Sequence, residues 1–168
     1  MLVKINDSLV GDYYIFVSHV GRENRTIVPE DLPEPKNDLI PVLAGSSILK
    51  GLRHIAVAAS VTLYHRMKRR SKFRDPSVEM VVRLAGERQV STALKAAMGG
   101  EPCLILVSRS AESIEEYLTL LKSRGVVLEG ECRFSEPELP DGSGCGSGED
   151  ECLELTVVSQ CAVSLYEK

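Results

Sequence analysis

Tryptophan is absent from the 168 residues, and aromatic residues make up only 5% of them. A core built from this chain must therefore be mostly aliphatic. No apolar run approaches the roughly 18 residues of a membrane-spanning helix, so no membrane partner is expected. The opening MLVKINDSLV lacks an apolar signal segment with a cleavage site, which makes a cytoplasmic location the default. The cysteines at 103, 132, 145, 152 and 161 form no C-x-x-C pair and none of the usual zinc spacings, so no metal is assigned. Cys103 and Cys161 lie in apolar runs and read as buried free thiols. Cys145 and Cys152 could pair in an oxidising or hyperthermophilic cytosol. Catalytic signatures are missing too: there is no G-x-S-x-G, no H-E-x-x-H and no D-x-D. With no catalytic residue and no cofactor indicated, a binding protein is favoured over an enzyme.

The composition is that of one globular α/β (α+β) domain spanning 1–168, expected to be a mixed sheet packed with helices. Tyr13–Val20 reads as a strand and 21–41, with four prolines, mostly as loop. A helix is expected from Ser46 or Ser47 to about Arg69, burying Ile48, Leu52, Ile55, Ala59, Leu63 and Met67. Val78–Leu84 alternates and reads as a strand, followed by a turn at Gly86 and a short helix bearing Val90, Ala93, Leu94 and Ala97. Pro102–Val107 reads as a central strand covered on both faces. Ser110 caps the next helix, with a core stripe at Ile114, Tyr117, Leu118 and Leu121 and a stop at Gly125. Val126–Phe134 and Leu153–Tyr166 read as strands, separated by a mobile Gly/Ser/acidic loop at 135–150. The order β–α–β–α–β–α–β–β allows parallel central steps with right-handed crossovers.

Charge is distributed unevenly. Between Lys50 and Lys95 there are eleven Lys/Arg against three acids, about +8, in a protein of net −4. Such a field attracts phosphate. Lys50, His54, Val61, His65 and Lys68 fall in one sector of the first helix, which is either a solvated face or a row for a polyanion. The turn Gly86-Glu87-Arg88-Gln89 is either a helix cap or a ligand site with outward backbone donors.

Ala44-Gly45, Gly51-Leu52-Arg53-His54-Ile55 with Ala58, and the run Val78–Val90 continuing to Ala93-Leu94 together resemble the PRPK-binding (TPRKB) family. This family is the small accessory subunit of the KEOPS complex, and the similarity covers about residues 40–125. The resemblance implies a non-catalytic subunit that binds the kinase-like ATPase subunit. It would help present tRNA, including the 3′ CCA end, for threonylcarbamoyladenosine modification beside the anticodon, and meet the threonylcarbamoyl-transferase subunit only indirectly. Carried onto this chain, Lys50, Arg53, His54, Gly86, Arg88 and Gln89 become tRNA-contact candidates, and Arg66, Lys68, Arg69 and Arg70 would track the phosphate backbone. Val158, Ala162 and Tyr166 would meet the kinase-like partner. Two rival readings remain: a protein adaptor regulating a kinase-like ATPase without RNA contact, and a small enzyme with a nucleotide site at Gly86.

Overall fold

The expected strand at Tyr13–Val20 exists, and three of the four other strands pair directly with it. The computed structural model describes residues 1–22, 27–36, 38–130, 132 and 134. They form β1 (Leu2–Ile5), β2 (Tyr13–Arg22), β3 (Ile40–Gly45), α1 (Leu52–Met67), α2 (Pro76–Ala85), α3 (Val90–Ala96), β4 (Pro102–Ser108), α4 (Ala111–Ser123) and β5 (Val126–Gly130). One edge of β2 pairs with β4, which pairs in turn with β3. The other edge carries β1 opposite Tyr13–Phe16 and β5 opposite His19–Arg22, with an irregularity between His19 and Val20. The result is an α+β fold: a five-stranded sheet packed with four helices.

All pairings among the described residues are antiparallel, so the expected parallel crossovers do not occur. The reason lies in the long excursion between β3 and β4. It leaves the sheet at Gly45 and re-enters opposite it, at Pro102. Gly45 N–H donates to the Ala97 carbonyl at 2.7 Å, and Ser46 N–H to that of Glu101 at 2.9 Å. A Cβ on Gly45 would fall 1.7 Å from the Gly99 oxygen, so only glycine fits this stem.

Alternation along β4 gives each face of the sheet its own core. Cys103, Ile105 and Val107 pack on the side of α1, α2 and α3. Leu104 and Leu106 pack against Ile114, Tyr117 and Leu121 of α4. The continuous apolar run of β4 is thus covered on both faces, as expected. α4 also follows its expected signals: Ser110 Oγ accepts from Ser113 N–H at 3.3 Å, and Gly125 ends it at φ 76°.

The strand expected at Val78–Leu84 is a correction, because those residues lie in α2. Asp75 Oδ1 accepts from Ser77 N–H at 2.8 Å, Pro76 opens the helix, and Gly86 closes it at φ 66°. All six residues from Glu79 to Leu84 are buried, and the helix's polar pair, Glu79 and Arg83, shares one side against α1 instead of facing water. The long loop expected through Pro41 overran β3, an edge strand that tolerates this proline. Ser46 and Ser47 do not cap α1. They form a short 3-10 turn, and α1 starts at Leu52 after Gly51 at φ 115°. Met67 is exposed, and the buried face of α1 is His54, Ile55, Ala58, Ala59, Thr62 and Leu63. Cys103 is not a free thiol: it is joined to Cys132 by a disulfide. The strand expected at Leu153–Tyr166 and the loop at 135–150 lie outside the described residues.

The α1–α2 interface holds a buried polar network. Glu79, with no exposed surface, accepts from Arg83 Nη2 at 2.6 Å through Oε1, which also lies 3.0 Å from His65 Nδ1. Its Oε2 accepts from the Ser71 hydroxyl. Removing one partner of a buried ion pair strands the other charge. Glu79→Ala is therefore expected to lower the unfolding free energy by about 3–5 kcal/mol, read from the urea midpoint. Replacing Glu79 and Arg83 together by methionine is expected to cost much less.

Candidate nucleic-acid interface

The eleven cations of the 50–95 segment divide once α2 is seen as a helix on α1. Arg83 is turned inward to Glu79 and His65. Arg66, Lys68, Arg69, Arg70, Lys72 and Arg74, by contrast, are all exposed on the last turn of α1 and the connection to α2. Among the described residues, none of these six is in an ion pair. Lys68 Nζ lies 5.9 Å from the centre of the half-buried Tyr64 ring, an arrangement that restrains one cation without neutralising it.

The backbone at this helix end is unusual. Arg70 N–H reaches back to the His65 carbonyl at 2.8 Å, and Arg69 N–H to Arg66 at 3.0 Å. This closure requires a left-handed residue, and Arg69 takes it at φ 53°. α2 ends in the same way, with Glu87 N–H on the Val82 carbonyl at 3.2 Å, but there the left-handed residue is Gly86. A side chain at such a position costs about 1–2 kcal/mol. The chain accepts that cost where the side chain is a cation inside a cationic cluster.

Arg109 extends the patch. Its Nη2 lies 3.4 Å from Met67 Sδ, and its backbone N–H donates to Asp38 Oδ2 at 3.1 Å. Sequence reasoning missed it because it comes 42 residues after Met67 and no local spacing links them.

The other expected contacts separate. Lys50 is half-buried just before α1, and Arg53 is exposed in its first turn, about 22 Å along the helix from Lys68. His54 is withdrawn from the surface at 5% exposure, with Nδ1 toward the Lys50 backbone N–H at 3.4 Å. Its burial, and secondarily the Lys50 charge, pushes its pKa down to about 4. His65 faces α2. The expected histidine-bearing row therefore does not form, since α2 covers that side of α1.

At the Gly86 turn, the Gly86 and Glu87 N–H groups are spent on the Arg83 and Val82 carbonyls, closing α2. They are not outward donors, and the turn joins two helices instead of following a strand. Arg88 and Gln89 are nevertheless exposed there. Val158, Ala162 and Tyr166 lie outside the described residues.

Two measurements check these placements. Arg69→Gly is expected to raise stability by roughly 1 kcal/mol, read by denaturant unfolding. His54 has a folded pKa of about 4, below its ordinary 6.5. Its contribution is therefore full above pH 6.5 and is lost as pH falls from there toward 4. The stability difference between the wild type and His54→Gln is expected to shrink over that window, by about 3 kcal/mol.

Compared with models of known protein families and with curated proteins, the chain matches none of them.

Proposed function

We propose that this chain is a non-catalytic, tRNA-binding accessory subunit of a cytoplasmic KEOPS-type complex, seated on its kinase-like ATPase subunit. The observation that carries the reading is the exposed cluster from Arg66 to Arg74, which has no acidic partner among the described residues. Six cations within nine residues would displace condensed counterions from an RNA backbone, and the released ions would drive association. Such a term carries no sequence information. The family resemblance adds the CCA end, a single-stranded tail of the kind read by stacking and by base-edge hydrogen bonds. Arg88 and Gln89, exposed beyond the far end of α2, are the side chains suited to it.

A second reading is favoured by a different surface. Val90 and Leu94 of α3 and Met98 just after it recur every four residues and are 38%, 40% and 82% exposed. An apolar row of this kind suits a protein partner. It supports the adaptor that regulates a kinase-like ATPase and never touches RNA.

Charge reversal separates the two. Arg66→Glu, Lys68→Glu and Arg70→Glu together are expected to abolish tRNA retention while the kinase-like subunit still co-purifies. The salt dependence of residual binding should flatten by about one power of salt per cation removed. Unchanged tRNA retention would leave the adaptor. Arg88→Glu is expected to weaken binding to intact tRNA more than to tRNA lacking CCA, and equal losses would remove the CCA contact from the proposal.

A further inference from the structure

Three strands bring together three side chains that are far apart in the chain. His19 of β2 lies opposite Cys103 of β4 on one side and Gly130 of β5 on the other. Gly130 adopts φ 107°, a turn costly for other residues, and two residues later Cys132 closes onto Cys103. The donor atoms of His19, Cys103 and Cys132 all lie within 4.8 Å of one another, with both sulfurs buried. His19 Nδ1 is 3.6 Å from Cys103 Sγ, and its Nε2 is 3.3 Å from Glu101 Oε2. An imidazole that gives its Nε2 proton to Glu101 turns the Nδ1 lone pair toward the sulfurs. Metal-binding histidines are oriented by a carboxylate in the same way.

We propose that, once the disulfide is reduced, His19 Nδ1, Cys103 Sγ and Cys132 Sγ form a binding site for a thiophilic divalent ion of the zinc class, with Glu101 as the positioning residue. Tetrahedral zinc with bonds of about 2.05 Å to nitrogen and 2.3 Å to sulfur sets those two ligands about 3.5 Å apart. The His19–Cys103 separation of 3.6 Å already matches. The two sulfurs must open to about 3.8 Å. Cys103 is held within β4, whereas Cys132 follows the end of β5, so Cys132 is the ligand that moves.

A dithiol reductant gives two electrons and two protons to the Cys103–Cys132 bond and becomes a disulfide itself. The ion then displaces the two thiol protons, with no change in its own oxidation state. Disulfide and metal are therefore alternative occupants of one site, and the thiol redox state selects between them.

The test uses the full chain with C145S, C152S and C161S, so that only Cys103 and Cys132 supply thiolate. It is reduced with a phosphine, desalted without oxygen and titrated with Co²⁺. The expected result is a thiolate-to-cobalt charge-transfer absorption that saturates at one ion per chain and is bleached by zinc. The disulfide form should show none. His19→Ala and Cys132→Ser should weaken binding by well over tenfold, and Glu101→Gln by about tenfold. No absorption from the folded, reduced chain means a structural disulfide only and overturns the proposal, as does undiminished absorption in His19→Ala or Cys132→Ser. If reduction unfolds the chain, zinc must restore its circular dichroism, and failure to do so overturns the proposal equally.

Discussion

Glu79 ties α1, α2 and the connection between them to a single buried carboxylate. Taking a carboxylate out of water costs several kcal/mol unless cations and donors surround it. Here they come from three places: His65 on α1, Ser71 in the connection and Arg83 one turn along α2. Phe73 N–H closes back onto the Ser71 oxygen at 3.1 Å, so the connection is tied down in its middle as well as at its ends. The cations from Arg66 to Arg74 are therefore displayed on a segment whose path is already set. A polyanion meeting them does not have to supply the ordering free energy of a loose tail.

The same clamp leaves the net charge of about +8 over 50–95 unchanged, because the buried Arg83 takes Glu79 inside with it, but it alters where the charge sits. Arg83 is inside, His65 faces the partner helix, and His54 is buried with its pKa lowered to about 4. Six of the ten cations left outside are gathered at one helix end, where Arg109 from the β4–α4 junction joins them. The field keeps the net charge of the sequence count but is more localised than that count shows. Localisation matters more for a polyanion, because salt screens charges that lie more than about 8–10 Å apart.

Legibility in the sequence followed from how local each determinant is. α4 was readable because its cap, its stripe at Ile114, Tyr117 and Leu121 and its glycine stop all lie within 16 residues. β4 was readable because a run apolar on both faces has few other destinations. α2 is less legible because Val78, Met80, Val82 and Leu84 also alternate as a strand would, even though Glu79 and Arg83 lie on one side of the helix. The Asp75-Pro76 start and the Gly86 stop are the signals that mark this helix. β3 was lost to its proline. At the candidate site, the residue types were legible but their partition was not. Whether an arginine at 83 or a histidine at 65 faces water depends on a helix packing angle that no spacing encodes. The His19–Cys103–Cys132 cluster lies further still from local reasoning, since its members come from β2, β4 and the residues after β5.

The exposed cluster also carries a cost that bears on its purpose. Two like charges about 7 Å apart in water repel by roughly 0.6 kcal/mol, and six in a short segment share several such pairs. The α1 carbonyl ends offset part of this. The left-handed Arg69 adds strain that a glycine would remove. A free surface gains nothing from either term. A surface that meets phosphate relieves the repulsion on contact, and then salt acts in opposite senses on the two states. It screens the repulsion and steadies the free chain, while it competes with the phosphates and loosens the complex. An apolar docking face would respond to salt in neither of these ways. The opposed pair of responses is the physical signature that sets a polyanion grip at the end of α1 apart from an adaptor acting through Val90, Leu94 and Met98.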